Sequence, residues 1–171
     1  MHILQTQRLS LREFVPEDVN ALAAILSDPE TMQHYPMPFD DAAVVDWISR
    51  NRTRYTGDGY GLWALILNST GELIGDCGLV RQSVDGTDEI EIGYHVRRDQ
   101  WGHGYATEAA RACRDYGFAN FNVDKLISLI RPENIASRRV AEKNGMTVWK
   151  EATRVNLLHY VYAIKRNQMS Q

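Results

Sequence analysis

The stretch QWGHGYATEAA, from Gln100 to Ala110, places two glycines one residue apart just before a run of helix-forming residues. The first N–H groups of a helix have no partner within the helix, and the helix dipole makes that end partly positive. Such an end therefore favours phosphate oxygens. Glycine lets the main chain approach an anion closely. The pattern Gly102-His103-Gly104 indicates a phosphate-binding loop, although a tight turn without a ligand would use the same residues.

Two common nucleotide-binding motifs do not fit this stretch. A dinucleotide fingerprint needs a third small residue three positions after the second glycine, where this chain has Thr107. A Walker loop needs Gly-Lys-Ser/Thr, and the sequence contains no such tripeptide. The remaining interpretation is a loop that could hold a pyrophosphate without a metal ion.

The composition is typical of one globular domain over residues 1–171. Hydrophobic residues make up 44% of the chain and charged residues 24%, with a net charge of −3. Nucleic acid is not expected as a partner, because phosphate neutralisation needs clustered cations and the chain has no Lys/Arg-rich run. We see no membrane span and no signal peptide, so no membrane partner is expected. Cys77 and Cys113 do not suggest a disulfide framework, which favours a reducing, cytoplasmic location.

Hydrophobic periodicity predicts an α/β fold of the α+β kind. Strands are predicted over 9–14, 61–67, 72–80, 89–96, 125–130 and 157–164, and helices from about Pro16 to near Asp28, from Asp40 onward, over 104–120 and over 134–144. Gly145 suits the position just after the last helix. The order is a strand, two helices, three consecutive strands, then βαβα and a last strand or two. This order predicts a mixed sheet covered by helices rather than a doubly wound fold.

Residues 96–110, VRRDQWGHGYATEAA, resemble motif A of the GNAT acetyltransferases, especially the RimJ/RimL-type branch of ribosomal-protein N-terminal acetyltransferases. The family pattern Gln/Arg-x-x-Gly-x-Gly/Ala falls on Trp101, Gly104 and Ala106, so Trp101 departs from it. TQRLSLREFVPEDVNAL resembles that branch's opening strand and helix, EIGYHV its fourth strand, and PENIASRRVAEKNGM its motif B. The resemblance spans nearly the whole chain. It implies a GNAT fold with about seven strands and four helices, splayed between the fourth and fifth strands.

The same resemblance implies acetyl-CoA as co-substrate, with no metal. In the family, main-chain N–H groups of the motif A loop bind the pyrophosphate. Here these belong to Gly102, His103, Gly104, Tyr105, Ala106 and Thr107. The splayed fourth strand would pair its freed main chain with the pantetheine arm and offer an oxyanion donor. The segment concerned comprises Tyr94, His95, Val96 and Arg97. The histidines and cysteines show no metal-ligand spacing.

Glu91 is the candidate general base. Strand alternation places Glu89, Glu91, Gly93 and His95 on one face, and Glu91 lies ten residues before Trp101, where several family members carry a basic glutamate. A carboxyl group with an ordinary pKa of ~4.3 would act through a water or after an upward pKa shift. The alternative is a solvated strand charge, which we expect for Glu89. Gly93 suggests a bulge or a close ligand approach, and His95 is either a proton relay or structural.

Asn134 and Ser137 begin the last predicted helix and belong to the motif B resemblance. Asn134 is either the N-cap of this helix or, as the resemblance implies, a pantetheine contact. Many relatives protonate the leaving thiolate with a tyrosine in this helix, but residues 134–145 contain none. Similar enzymes of the Rim branch have a serine at the place of Ser137. We therefore assign Ser137 to hydrogen-bond stabilisation of the sulfur.

The resemblance places the acceptor beside the first two helices, their connecting loop and the late strands. HYPMPFD, with Trp47 and Trp63, would supply aromatic surface there, although Trp47 could equally be core. A peptide or protein α-amino group is the favoured acceptor. The alternatives are a small-molecule amine or an acyl-CoA-binding sensor without turnover, which would have no need of Glu91 and Ser137. A homodimer is left open.

Overall fold

An eight-stranded mixed sheet runs through the computed structural model, which describes residues 1–169. Its strands are β1 (Leu4–Gln5), β2 (Leu9–Arg12), β3 (Leu62–Leu67), β4 (Leu73–Val84), β5 (Thr87–Val96), β6 (Lys125–Ile130), β7 (Thr147–Arg154) and β8 (Leu157–Lys165). Their order in the sheet is β1-β2-β3-β4-β5-β6-β8-β7. The helices are α1 (Val19–Leu26), α2 (Asp41–Gly57), α3 (Tyr105–Asn120) and α4 (Ile135–Lys143).

The structure confirms the α/β fold and the four helices, and it adds one strand to the expected seven. The added strand is β1, which pairs antiparallel with β2 through Leu4 opposite Leu11 and Gln5 opposite Ser10. Two residues are too few to show a period-two pattern, so sequence patterning could not predict this strand. The N-caps follow the predicted chemistry, since the Asp40 side chain accepts a hydrogen bond from the Ala43 N–H at the start of α2.

The β4–β5 hairpin forms the longest ladder of the sheet. Asp85 and Gly86 have φ angles of +50° and +79°, which is the backbone of a two-residue hairpin turn. The register then runs without interruption from Val84 opposite Thr87 to Gly75 opposite Val96. Because the pairing continues to this turn, β4 extends four residues beyond the predicted end at position 80. The unbroken register also shows that the bulge considered at position 93 is absent.

The sheet opens between β5 and β6, which confirms the predicted splay. These parallel strands share one registered pair, Glu91 opposite Ile127. Just beyond it, the Ser128 hydroxyl donates to the Ile92 carbonyl over 2.9 Å. From there to their C-terminal ends the two strands have no registered pair, so a gap begins at this hydrogen bond. In the present numbering the gap lies between the fifth and sixth strands because β1 comes first.

Helices cover both faces of the sheet. Helix α3 packs on one face, where buried Cys113 and Phe118 join a cluster with Leu79 and Ile92 from β4 and β5. Helices α1 and α2 pack on the other face around a second cluster that includes Phe14, Leu22, Ile25, Val44 and Ile48. Burial of these apolar side chains is the main stabilising contribution to the arrangement. Among residues 1–169, no helix combines the length and apolar character that a membrane span needs.

Both cysteines are core residues. Cys77 and Cys113 are fully buried, and both are free with their sulfur atoms 3.5 Å apart. Burial raises the pKa of the Cys77 thiol, and the neighbouring Cys113 thiol raises it further. Because the thiolate is the reactive form, Cys77 is not a nucleophile in this fold.

Candidate active site

The Gly-His-Gly stretch forms an open loop at the start of α3. Gly102 and Gly104 both have φ near +80°, in the left-handed region that favours glycine. The Gly104 carbonyl accepts from the Glu108 N–H over 3.0 Å, so the helix begins directly after it. A side chain at position 102 would meet no atom within 4 Å, which leaves this side of the loop open. The loop therefore presents helix N–H groups to an open surface.

Residues near the N-terminus of the chain hold this loop in place. The Glu108 carboxylate accepts from the Thr6 hydroxyl (2.6 Å) and from the main-chain N–H (3.0 Å) and Nε (2.7 Å) of Arg8. Partial burial raises the pKa of Glu108, but these bonds outweigh it and hold the pKa below its usual range. Arg8 also donates to the His103 carbonyl over 2.8 Å, and its guanidinium lies 4.6 Å from the centre of the Tyr105 ring. Arg8 thus ties the loop to the start of β2, and its charge is paired with that of Glu108.

Sequence analysis missed Arg8 and Glu108. Arg8 lies within the stretch that resembles the family's opening strand, but nothing in its spacing links it to a loop 95 residues further along the chain. Only the pairing of the N-terminal strands with the rest of the sheet brings it there.

The Trp101 side chain makes a structural contact within the protein. Its indole N–H donates to the Val96 carbonyl over 2.7 Å, which ties the loop to the end of β5. The family pattern has Gln or Arg at this position, so the departure replaces a polar side chain by a structural contact. The Val96 carbonyl is consequently already hydrogen-bonded.

The main chain of β5 alternates between β4 and the gap. The Arg97 N–H donates to the Ile74 carbonyl over 2.7 Å, and the His95 carbonyl lies against Gly75, so both residues direct main-chain groups towards β4. By alternation, Tyr94 and Val96 direct theirs towards β6 and the gap. This corrects the expectation of four main-chain contacts, because His95 and Arg97 use these groups within the sheet. The Arg97 side chain is likewise engaged, by Asp99 at 2.6 Å.

Tyr94 and Ser137 meet across the gap. The Tyr94 hydroxyl donates to the Ser137 carbonyl over 3.0 Å, and burial raises the pKa of this phenol. The Asn134 side chain accepts from the Ser137 N–H over 3.2 Å, which confirms Asn134 as the N-cap of α4. The structure therefore brings three of the predicted residues together from β5 and α4.

Glu91 lies at the base of the gap, opposite Ile127. It is partly buried, and its carboxylate accepts from the Gln82 amide (2.7 Å) and the Leu129 N–H (3.4 Å). Burial raises the pKa of Glu91, although these hydrogen bonds oppose the shift. Its neighbour Glu89 is buried and pairs with Lys125 over 2.8 Å, so the expectation that Glu89 is solvated was wrong. Glu91 thus lies at the gap with a raised pKa, whereas the Glu89 carboxylate is held by Lys125.

A second group of polar side chains lies on the face of β5 that carries Glu91. The His95 ring bonds through Nδ1 to Asp76 Oδ1 and through Nε2 to the Tyr35 hydroxyl, both over 2.7 Å. The Trp47 indole N–H donates to Asp76 Oδ2 over 2.8 Å. Phe39 packs against Trp47, with ring centres 5.4 Å apart.

The aromatic loop and Trp47 were expected in this region, whereas Asp76 carried no sequence signal. Trp63 belongs elsewhere. It is buried in the core against Tyr116 of α3, with ring centres 5.5 Å apart, and it does not line the acceptor side.

Comparison with known proteins agrees with this geometry. Residues 8–147 match the model of the acetyltransferase (GNAT) domain. The uncharacterized protein YkkB of Bacillus subtilis (strain 168) is 40% identical over 163 residues, covering 95% of each chain. The uncharacterized N-acetyltransferase p20 of Bacillus licheniformis is 32% identical over 154 residues, covering 88% of this chain and 84% of that relative.

Among solved structures, Mycobacterium smegmatis RimJ in complex with CoA-disulfide superposes with a TM-score of 0.75. It is 24% identical and covers 95% of this chain and 84% of its own, so this likeness shows the fold. The family match and the two sequence relatives go further. The chain belongs to the GNAT family of N-acetyltransferases.

Proposed function

We propose that this enzyme transfers an acetyl group from acetyl-CoA to the α-amino group of a peptide or protein N-terminus. The observation that carries the proposal is Glu91, a carboxylate with a raised pKa at the base of the gap between β5 and β6. A base near the reacting centre is required, because a protonated amine is not a nucleophile. The amine would attack the thioester directly, without a covalent acyl-enzyme, since the Cys77 thiol is buried and its pKa is raised.

The donor side of the site fits acetyl-CoA. Main-chain N–H groups of the loop and first helical turn, residues 102–107, would bind the pyrophosphate, and the contact from Arg8 to His103 holds this loop in place. The pantetheine arm would follow the gap, where Tyr94 and Val96 direct main-chain groups towards β6. We propose Tyr94, Val96 and Asn134 as its contacts, alongside the loop residues named above. The solved structure of RimJ in complex with CoA-disulfide, which shares this fold, supports a CoA thioester as the donor.

The reaction needs three catalytic contributions from the protein. Glu91 would take a proton from the amine, directly or through a water. A main-chain N–H of β5 facing the gap would stabilise the developing oxyanion. The Ser137 hydroxyl, at the first turn of α4 beside Tyr94, would hydrogen-bond the departing sulfur.

The strength of the base favours an α-amino acceptor. An α-amino group has a pKa of ~7.7–8.0 and is substantially neutral near physiological pH, whereas a lysine amine has a pKa of ~10.4. A carboxylate whose pKa is raised only by partial burial suits the weaker acid–base demand of the α-amine. The net charge of −3 also favours a basic peptide over a polyphosphate backbone. The free cysteine pair fits a reducing compartment, and we propose the cytoplasm as the site of action.

The test is a competition between matched peptides. One peptide has a free N-terminus and blocked lysines, and the other has a blocked N-terminus and free lysines. A panel of small polyamines runs alongside. Acetyl transfer to the first peptide, detected by mass spectrometry and CoA release, is the expected result.

A preference for lysine or for a small amine would contradict the proposed acceptor and leave the acetyltransferase activity in place. Acetyl-CoA binding without release of CoA on any amine would identify a sensor instead.

A further inference from the structure

Tyr35, His95 and Asp76 form one continuous hydrogen-bonded chain that runs from the acceptor side into the core. Exposure falls along it, from 42% at Tyr35 to 8% at His95 and 0% at Asp76. Both links measure 2.7 Å, and Trp47 holds the far carboxylate oxygen at 2.8 Å. Tyr35 is thus the member of the chain that reaches the acceptor side, while Asp76 is shielded from water.

The chemistry of the partners fixes the direction of the hydrogen bonds. A carboxylate only accepts, so the Nδ1 of His95 carries a hydrogen and donates to Asp76. In the neutral imidazole, Nε2 is then the acceptor, and the Tyr35 hydroxyl donates to it. This arrangement leaves the Tyr35 oxygen able to accept a proton as it gives its own to His95.

Amide formation releases two protons from the acceptor nitrogen. The ammonium loses one before it attacks, and the nitrogen loses a second after the new C–N bond has formed. Glu91 can hold only one of them at a time. We infer that the Tyr35–His95–Asp76 chain accepts the second proton, with Tyr35 as the group that contacts the acceptor nitrogen. This inference rests on the proposed function.

The steps balance as follows. The amine nitrogen bonds to the thioester carbonyl carbon, and the C–S bond breaks with its electron pair on sulfur. The nitrogen's extra proton passes to the Tyr35 oxygen while the Tyr35 proton passes to His95 Nε2. The imidazolium so formed lies against the Asp76 carboxylate, which stabilises it. After the amide leaves, the proton returns through Tyr35 to water, and the chain is reset.

The charges around Tyr35 favour a relay over a free phenolate. Desolvation raises the pKa of this phenol, and the nearby carboxylates of Glu91 and Asp76 raise it further, while Arg154 opposes them. A phenol in this setting does not ionise by itself, so it can accept a proton only while losing its own. Only His95, bonded to its hydroxyl, can take that proton in the same step.

The experiment compares Tyr35→Phe, His95→Gln and the double variant. We expect each single variant to lower kcat by at least about tenfold, at the lower end of general acid–base losses, with the KM for acetyl-CoA within about twofold of wild type. Because the residues act as a unit, the double variant should be no slower than the worse single one. A proton inventory in mixed H₂O and D₂O should be curved in the wild type and linear in Tyr35→Phe.

Tyr55→Phe is the matched control. Tyr55 is likewise a tyrosine with a hydrogen-bonded hydroxyl, and it donates to the Leu62 carbonyl, outside the chain described above. The Tyr55→Phe variant should be less stable than wild type and should keep the curved proton inventory.

A decrease in kcat of less than threefold would overturn the relay while peptide acetylation stands. Decreases in kcat that add up in the double variant and run parallel to the decrease in Tm would do the same. Binding of acetyl-CoA by the wild type without turnover would overturn the relay together with the proposed function.

Discussion

The two sides of the candidate active site are built in different ways. The donor side, residues 102–107 and the first turn of α3, consists of sequence neighbours and offers mainly main-chain N–H groups. The acceptor side is formed by side chains from separate segments: Tyr35 in the α1–α2 loop, Trp47 in α2, Asp76 in β4 and His95 in β5. The first depends on backbone conformation, and the second depends on the identity of each side chain.

This difference predicts different sensitivities to substitution. Trp101 stands where the family pattern has Gln or Arg, and the loop still forms with its glycines at φ near +80°. A main-chain site tolerates such changes as long as the dihedral angles are kept. On the acceptor side, losing one partner leaves a buried polar group unsatisfied, which is costly. Changes on the acceptor side should therefore affect kcat, whereas changes of loop conformation should affect acetyl-CoA affinity.

The largest effect is expected from Glu91→Gln. Loss of the base should lower kcat by roughly 10²–10⁴ while the dissociation constant for acetyl-CoA stays nearly unchanged. Because burial raises the pKa of Glu91, the acid limb of the wild-type kcat/KM profile should lie above the usual glutamate range and be lost in the variant. Glu89→Gln, two residues away and paired with Lys125, is the control and should keep kcat. A loss below threefold for Glu91→Gln would return this residue to a structural role.

Gly104→Asp should affect the donor side of the site. The new carboxylate would lie against the phosphates and force an L-residue to φ near +80°, so acetyl-CoA binding should weaken at least about tenfold. Gly71→Asp places the same residue at φ +75° in the turn before β4, with no atom within 4 Å, and should leave affinity unchanged. Calorimetric titration measures both. Wild-type affinity in a folded Gly104→Asp protein would remove this loop from the donor site.

Ser137→Ala sharpens the role of α4. One hydrogen bond to the departing sulfur corresponds to about 1 kcal/mol, so kcat should fall about fivefold. Ser137→Thr keeps the hydroxyl and should restore most of the rate. If both variants lose the same activity, the effect comes from packing beside Tyr94 and not from the hydroxyl.

Substitutions of Asn134 distinguish a helix-capping role from a ligand-binding role. Asn134→Ala should cost about 1 kcal/mol of unfolding free energy, whereas Asn134→Asp keeps a capping oxygen and should keep stability. If the amide N–H₂ of Asn134 also contacts pantetheine, Asn134→Asp will raise the KM for acetyl-CoA at unchanged Tm. An unchanged KM would leave Asn134 as a cap alone.

The smallest effect concerns stability and pH. A raised pKa means that the fold disfavours the ionised form of Glu91, so stability falls as the pH rises from the ordinary glutamate pKa through the raised one, and the loss is complete above it. Glu91→Gln should therefore raise Tm at pH 8 and raise it less, or not at all, at pH 4. A Tm gain that is the same at both pH values would point to packing instead of charge.

Local features were predictable because their physics is local. Gly102 and Gly104 adopt the left-handed backbone that their residue type allows, and Asp40 and Asn134 cap helices a few residues away. Period-two alternation placed Glu91 and His95 on one face of a strand. Each of these depends on residues within one turn or one strand of each other.

Long-range features were decided by the tertiary structure. The contacts between Arg8 and His103, Tyr35 and His95, and His95 and Asp76 join positions 95, 60 and 19 residues apart. Glu89 was expected in solvent because its strand position gave no sign of Lys125, 36 residues later. A buried charge or hydroxyl finds its partner only when strands pair and helices pack, since no local rule specifies the register between distant segments. The sequence by itself thus determined the family and the conformation of the candidate donor loop, whereas the packing of the sheet decided which side chains line the proposed acceptor side.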